Sequence, residues 1–252
     1  MVDLYKKLWV PNNYLSQYYD TETIAQDERG IFRFIIGFLK KKKVKFDEMI
    51  EIGCGPTIHH VLPFVPYTKR IYLADYMKSN LREIQKWVRG DSNAHNWTPY
   101  IEGELKMEGK LGTGNRNRRA LGLKNKIVKL LQCNVLNKRL LNLPNKTFEL
   151  VTSFYCLECV AYNKKEWRAA MRSMGNLVAP KGWIILGAVH DTNGYRVGND
   201  VFPTVRVSKK DMYDSLIASG FLPKTISIKV CPSSEWSNEG FSSIIICRGQ
   251  KK

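Results

Sequence analysis

The sequence predicts an α/β fold: a doubly wound, mainly parallel sheet of seven strands with helices on both faces. Three observations carry this. Seven short runs have strand composition, several almost wholly apolar, as strands covered on both faces are. Segments of helical period lie between them, the alternation that builds parallel sheets. Only PSSEWSNEG (232–240) separates the last two runs, too short for a helical crossover, so these two are expected to pair antiparallel at one edge.

The elements follow in order. Residues 1–45 are expected to form a helical arm closing over the site, and residues 46–252 the sheet domain. The strand runs are DEMIEIG (47–53), RIYLAD (70–75), KLLQCNV (129–135), FELVTSF (148–154), GWIILGAV (182–189), TISIKV (225–230) and SSIIICR (242–248). After the second, Met77, Leu81, Ile84 and Val88 recur at helical spacing. Asn163 and Glu166 resemble a capping box, and Trp167, Ala170, Met171, Met174 and Leu177 then trace one apolar stripe. Ser208 with Asp211 opens a further helix that Gly220 closes.

A chain of 252 residues, 44% of them hydrophobic, can bury a sizeable core. No apolar stretch reaches the roughly 18 residues that a membrane span needs. The start, MVDLYKKLWVPNN, lacks a basic-then-apolar export pattern, so a cytoplasmic protein is expected. Six irregularly spaced cysteines then read as reduced thiols; Cys156 and Cys159 form a CxxC with no second pair or nearby histidine to complete a zinc set. The formal charge of +17 is concentrated in LKKKKVKF (39–46) and in 106–129. Such runs attract nucleic acid or anionic membranes. Neither interleaves aromatics as single-strand binders do, and solvated basic faces are the favoured reading.

EIGCGPTIHH (51–60) ends the first strand, where doubly wound sheets bind ligands. Gly53 and Gly55 allow a sharp turn and close approach to a ligand. Ile58 replaces the third glycine of a dinucleotide fingerprint, and no GK[ST] follows for a P-loop. Asp75 ends the next strand, about twenty residues on, where an acid accepts from both hydroxyls of a ribose. Together these point to an adenosine-bearing ligand without phosphates, which S-adenosylmethionine fits; a purely structural strand-to-helix turn is the alternative.

NYLSQYYD (13–20), EIGCGPTIHH, LADYMKSNL (73–81), LQCNV (131–135), SFYCLECV (153–160), LVAPKGW (177–183), GYRVG (194–198) and SNEGFSSIIICR (237–248) run through nearly the whole chain. In these segments the sequence resembles the small-molecule amine N-methyltransferases, which include the nicotinamide, phenylethanolamine and indolethylamine enzymes. The resemblance implies a class I S-adenosylmethionine-dependent methyltransferase domain with S-adenosylhomocysteine as product. It implies that Tyr14, Tyr18 and Tyr19 close over cofactor and substrate, and that Gly53, Gly55 and Thr57 flank the methionine moiety. Asp75 and Asn80 match the ribose and carboxylate contacts, and Tyr76 flanks the adenine. Asn134 and Val135 fall where the family has Asp-Val at the adenine, so Asn134 keeps an acceptor without the charge. Phe154 is assigned to the cofactor side. His59 stands where the family has tyrosine; the histidine pair is then expected to be one cofactor contact and one surface residue, with no metal. Trp183 interrupts the usual Pro-Gly-Gly turn, with structural consequences only.

Methyl transfer from a sulfonium is an in-line displacement, so alignment and exclusion of water supply much of the rate. The amine must attack neutral, and a nearby carboxylate can hold the ammonium and take or relay its proton. Glu158 matches the pocket glutamate of the phenylethanolamine and indolethylamine enzymes; the alternative for it is an acid serving a helix N-terminus. Asp191 is the second catalytic and substrate-binding candidate. Tyr155 and Tyr195 are expected as aromatic walls. Ala188 occupies the position where the nicotinamide enzyme is expected to carry an aspartate, which favours an arylalkylamine acceptor. Alternatives are a pyridine such as nicotinamide, a thiol or thioether, or an RNA-directed role suggested by the charge. Against the last, FYCLE stands where exocyclic base methylases carry Asn-Pro-Pro-aromatic. The expected partner is a small amine, without nucleic acid or membrane, for a monomeric protein.

Overall fold

Period-two alternation decides how the strands are covered. Met49, Ile185, Ile244 and Ile246 face one core, whereas Ile50, Ile184 and Ile245 face the other. A strand that buries both faces needs helices above and below it, and the computed structural model, which describes residues 2–137, 139–143 and 146–252, has both layers.

Three helices precede the sheet: α1 (Val2–Leu8), α2 (Pro11–Tyr19) and α3 (Gln26–Lys42). The sheet begins with β1 (Phe46–Ile52) and, after a 3₁₀ segment His59–Tyr67, β2 (Thr68–Asp75). Next come α4 (Lys78–Arg89), α5 (Thr98–Glu108), α6 (Thr113–Lys126) and β3 (Ile127–Gln132). Then follow β4 (Phe148–Phe154), the short α7 (Leu157–Val160), α8 (Lys164–Leu177) and β5 (Val178–Val189). The chain closes with β6 (Gly194–Val197), β7 (Asp200–Pro203), α9 (Lys209–Ala218), β8 (Ser227–Pro232) and β9 (Ser243–Gln250).

The main sheet runs β3-β2-β1-β4-β5-β9-β8. Its first five strands are parallel; β9 pairs antiparallel with both β5 and β8. The expected sheet and its antiparallel last strand are therefore both present. Missing from the sequence reading is the two-stranded β6–β7 hairpin outside the sheet, turned through Gly198 at φ 59°. Helices α3, α5 and α6 and the 3₁₀ segment cover one face; α8 and α9 cover the other. Among the described residues no helix is long and apolar enough to cross a membrane.

Capping signals hold with one change of detail. Asn163 Oδ1 accepts from the N–H groups of Lys165 and Glu166 at 3.0 Å, but Glu166 reaches back to Tyr162 N rather than to the cap itself. Ser208 and Asp211 form the reciprocal box. The basic run at 106–129 is only partly a solvated face: Arg119, 6% exposed, is clamped between the buried carboxylates of Glu104 and Glu108. Trp183 packs on Phe38 in the core, ring centroids 4.8 Å apart. Replacing Asn163 by Ala strands two donors of α8; urea unfolding is expected to show a loss of about 1 kcal/mol with an unchanged m-value.

Candidate active site

The strand order reverses direction between β1 and β4, and beyond their carboxyl ends opens a crevice. It encloses about 1140 Å³ of empty space, its open mouth included. The loop after β1 forms one wall. Gly53 N and Cys54 N both donate to Ala74 O, at 2.7 and 3.1 Å, which ties the loop to β2. Gly53 (φ 66°) and Gly55 (φ 60°) are left-handed for different reasons. A Cβ on Gly53 would lie 2.1 Å from Cys156 Sγ, whereas a Cβ on Gly55 would meet nothing within 4 Å. The first glycine packs the loop; the second leaves the cavity side clear.

Asp75 sits at the centre of this wall. Its Oδ2 accepts from Gly55 N at 2.9 Å, and its Oδ1 from Met77 N at 2.8 Å and from Asn80 Nδ2 at 2.9 Å. Burial raises its pKa, and these three donors act against the rise. Asn80 Oδ1 in turn accepts from Trp9 Nε1 at 2.7 Å, which carries the network into the arm. Thr57 Oγ1 donates to Cys54 O, while Tyr76 lies beneath Lys6 of α1. Val135 and Asn134 line the same side, and Asn134 Oδ1 accepts from Leu136 N at 3.0 Å.

The arm forms the roof. Tyr14, Tyr18 and Tyr19 line the cavity from α2, joined by Tyr5 and Trp9, which the sequence reading did not include. Tyr5 OH lies 2.9 Å from Tyr195 OH, and Tyr18 OH donates to Arg196 O at 2.6 Å. Gln17 bonds Glu239 and Gly198 N. The roof is thus pinned to α4 on one side and to the β6–β7 hairpin on the other.

The far end is lined by Phe154, Tyr155, Cys159, Val189, Tyr195 and Asp27. Two expected catalytic groups are placed elsewhere. Glu158, 1% exposed, stands behind the wall, its Oε1 accepting from Val189 N at 2.9 Å; burial lifts its pKa to about 7. Asp191 lies outside, its side chain 53% exposed and paired with Arg206 at 2.9 Å, because its left-handed backbone (φ 51°) turns it into solvent. Ala188 is buried in the core on the other face of the sheet.

A family model described as the NNMT/PNMT/TEMT family matches residues 1–243. The chain belongs to the NNMT/PNMT/TEMT family. Similar relatives include the indolethylamine N-methyltransferase of Oryctolagus cuniculus, 27% identical over 224 residues, covering 87% of this chain and 84% of that protein. Nicotinamide N-methyltransferase of Homo sapiens is 25% identical over 250 residues, covering 96% and 94%. Among solved structures, magnesium protoporphyrin IX methyltransferase of Synechocystis PCC 6803, with bound SAM, superposes with a TM-score of 0.60 at 12% identity, covering 99% of this chain and 94% of that one. A SAM-dependent methyltransferase from Methanosarcina mazei gives 0.58 at 13% identity, covering 85% and 96%. These last two share the fold.

This member of the NNMT/PNMT/TEMT family departs from expectation at its histidine pair. Neither histidine is at the surface: His59 is wholly buried and His60 is 2% exposed. The one that lines the cavity is His60, stacked 4.1 Å from the Phe154 ring. His59 packs behind it against Trp97, ring planes 14° apart. Glu28 of α3 bridges the pair, Oε1 3.1 Å from His59 Nε2 and Oε2 3.0 Å from His60 Nε2; Glu51 lies 3.4 Å from His60 Nδ1. Burial disfavours an imidazolium at His60, but Glu28 and Glu51 outweigh it and lift the pKa to about 9. Glu28 would be raised by burial, yet His60 and His59 hold it well below the carboxylate range. His59, buried beside that cation, falls to about 4. Glu28, His59 and His60 bring ligand-type atoms within 4.8 Å of one another. The contacts of Glu28 with both histidines account for this geometry.

Asp27 and Glu28 escaped the sequence reading because two acids in a first helical turn look like ordinary dipole partners. Tyr5 and Trp9 left a signal, an aromatic pair at i, i+4 in the arm.

Two outcomes are expected. Gly53→Ala, strained and clashing with Cys156, destabilises by roughly 2–4 kcal/mol in urea unfolding, whereas Gly55→Ala costs only the backbone strain of about 1 kcal/mol. For His60 the folded pKa lies above the unfolded one, so its stabilisation is complete below about pH 6.5 and lost as pH rises through about 9. Melting temperatures of wild type should fall across that window, and those of His60→Gln, which cannot titrate, should fall less.

Proposed function

We propose that the protein transfers a methyl group from S-adenosylmethionine to the nitrogen of a small amine, an arylalkylamine in particular. The observation that carries this is the Asp75 network at the switch point, where a glycine loop, an acid and an aromatic roof enclose one cavity. The residues present fit the cofactor. Asp75 offers a carboxylate for the ribose hydroxyls, and the space beside Gly55 is free of side chains. In this reading Tyr76, Asn134 and Val135 flank the adenine, while Thr57, Asn80 and Tyr14 face the methionine end. Bound there, the cofactor supplies an electrophilic methyl group on a sulfonium.

The chain's own residues do the rest. Tyr14, Tyr18 and Tyr19 shut water from the cavity, which strengthens each electrostatic contact inside it. Tyr155 and Tyr195 orient an aromatic acceptor. Glu158 contributes as a positioning group, joining α7 to β5 through Val189 N, and holds a proton within reach of neutral pH. Relatives named for indolethylamine, phenylethanolamine and nicotinamide support the amine and pyridine classes in general.

Calorimetry is expected to show S-adenosylmethionine binding to the wild type, weakened about 10- to 100-fold in Asp75→Ala, as befits loss of charge-assisted hydrogen bonds. A radiolabelled methyl donor offered with biogenic amines and with nicotinamide should label an arylalkylamine fastest. Undiminished binding in Asp75→Ala would overturn the ribose assignment.

A further inference from the structure

We infer that Asp27 is the residue that selects the substrate: its carboxylate holds the ammonium group of the incoming amine against the aromatic far end of the cavity. This rests on the amine reading above and deepens it.

Few charged groups face the cavity. Among the described residues lining the cavity, the carboxylates are those of Asp27 and Asp75, the one imidazolium, His60, is already flanked by Glu28 and Glu51, and no lysine or arginine contributes. Asp75 accepts from three donors in the loop wall and stands at the end of the cavity assigned above to the ribose. Asp27 is therefore the acid available at the acceptor end, a position expected for Glu158 or Asp191, which the fold puts elsewhere.

The burial of Asp27 is electrostatically unbalanced. Asp27 is 3% exposed, yet no cationic side chain lies within ion-pair distance of it among the described residues. Its neighbours are neutral donors: Tyr155 OH reaches Oδ2 at 3.0 Å and Trp236 Nε1 reaches Oδ1 at 3.2 Å. A carboxylate has about four lone-pair sites, so acceptor capacity remains. The N-terminal turn of the 17-residue α3 favours an anion there but does not neutralise it. Buried carboxylates in proteins are almost always paired; here the described residues supply no cationic partner, and a guest can. Burial and the neighbouring Glu28 lift the acid to about 6, the effect a cationic guest would reverse.

The surround of Asp27 is aromatic. Trp236 packs on Tyr18 at 4.9 Å between ring centroids, and Tyr18 on Tyr14 at 5.2 Å. With Tyr155 these make an aromatic enclosure about one carboxylate, the arrangement that binds organic ammonium ions. The ligand class follows: a primary or secondary amine, protonated on entry, carrying an aryl group. A neutral pyridine carboxamide gains nothing from Asp27.

The test uses the full chain saturated with S-adenosylhomocysteine, so that binding is read without turnover. Calorimetry compares 2-phenylethylamine with 2-phenylethanol, which has the same shape without the charge, and tryptamine with tryptophol. The wild type should prefer each amine by at least about tenfold, the scale of one desolvated charge pair. Asp27→Asn, nearly isosteric, should abolish that preference by weakening the amine alone, leaving alcohol and S-adenosylhomocysteine affinities within about twofold. Tyr155→Phe, which removes one group orienting Asp27, should narrow the preference without abolishing it. An equal loss of amine and alcohol in Asp27→Asn would mean a structural tie between Tyr155 and Trp236, and would overturn the inference. So would a preserved preference in that variant, or no preference in the wild type. Failure of the wild type to bind S-adenosylhomocysteine would instead overturn the methyltransferase reading, which keeps the two separable.

Discussion

One carboxylate organises the site. Asp75 gathers the N–H of the glycine loop, the N–H that opens α4 and the amide of Asn80, and Asn80 passes the connection to Trp9 in the arm. Three segments distant in sequence, the arm at Trp9, the glycine loop and residues 75–80, are thereby held at one point. Each hydrogen bond is modest alone, about 1–3 kcal/mol when one partner is charged, but they share an acceptor and so act together. The loop needs left-handed glycines to bring its N–H groups round to Asp75, and the arm needs Asn80 correctly oriented to seat its tryptophan. Roof and floor are consequently one structure, and the arm belongs to the cavity as much as the sheet does.

The cavity's second constraint is its handling of buried charge. Three acids and a histidine lie together under the roof: Asp27, Glu28, Glu51 and His60. Glu28 and Glu51 flank the imidazolium, so that part is close to self-compensating. Removing the histidine would leave two like charges close together in a low dielectric, which is costlier than any single exposed pair. Asp27 stands next to this cluster but shares none of its compensation. Adjacent residues on one helix thus carry different roles because successive side chains project about 100° apart: Glu28 inward to the histidines, Asp27 into the cavity.

What was legible in the sequence follows the length scale of the interaction. The seven sheet strands could be read because each is a local apolar run, and the α8 and α9 starts because a cap lies within three residues of its partner. The β6–β7 hairpin was not, since four-residue strands bearing Arg196 and Asp200 lack an apolar pattern; only the Gly198-Asn199 turn marked it. Helices α5 and α6 were hidden by the basic run, whose Arg119 finds its carboxylates only after the two helices pack. The same limit explains the histidines. His60 looks like a surface residue until α3 and β1 bring Glu28 and Glu51 to it. Asn134 is the converse case: its Oδ1 closes an Asx-type turn on Leu136 N, a task asparagine performs as well as aspartate, so the backbone shape there does not require the charge.

The net charge and the cavity pull in opposite directions, and distance decides between them. A chain of formal charge +17 repels a cationic amine at long range. That field is screened over about 8 Å at physiological ionic strength, and much of it comes from lysines on solvated faces such as the end of α3. Inside the cavity the dielectric is lower, and among the described lining residues the charged groups are the carboxylates of Asp27 and Asp75 and the His60 imidazolium that Glu28 and Glu51 flank, while lysine and arginine are absent. Coulomb interactions there are several-fold stronger than across the surface. The surface charge therefore bears on encounter rate and its salt dependence, whereas the equilibrium preference for a ligand is set by the few ionised groups beneath the tyrosine roof.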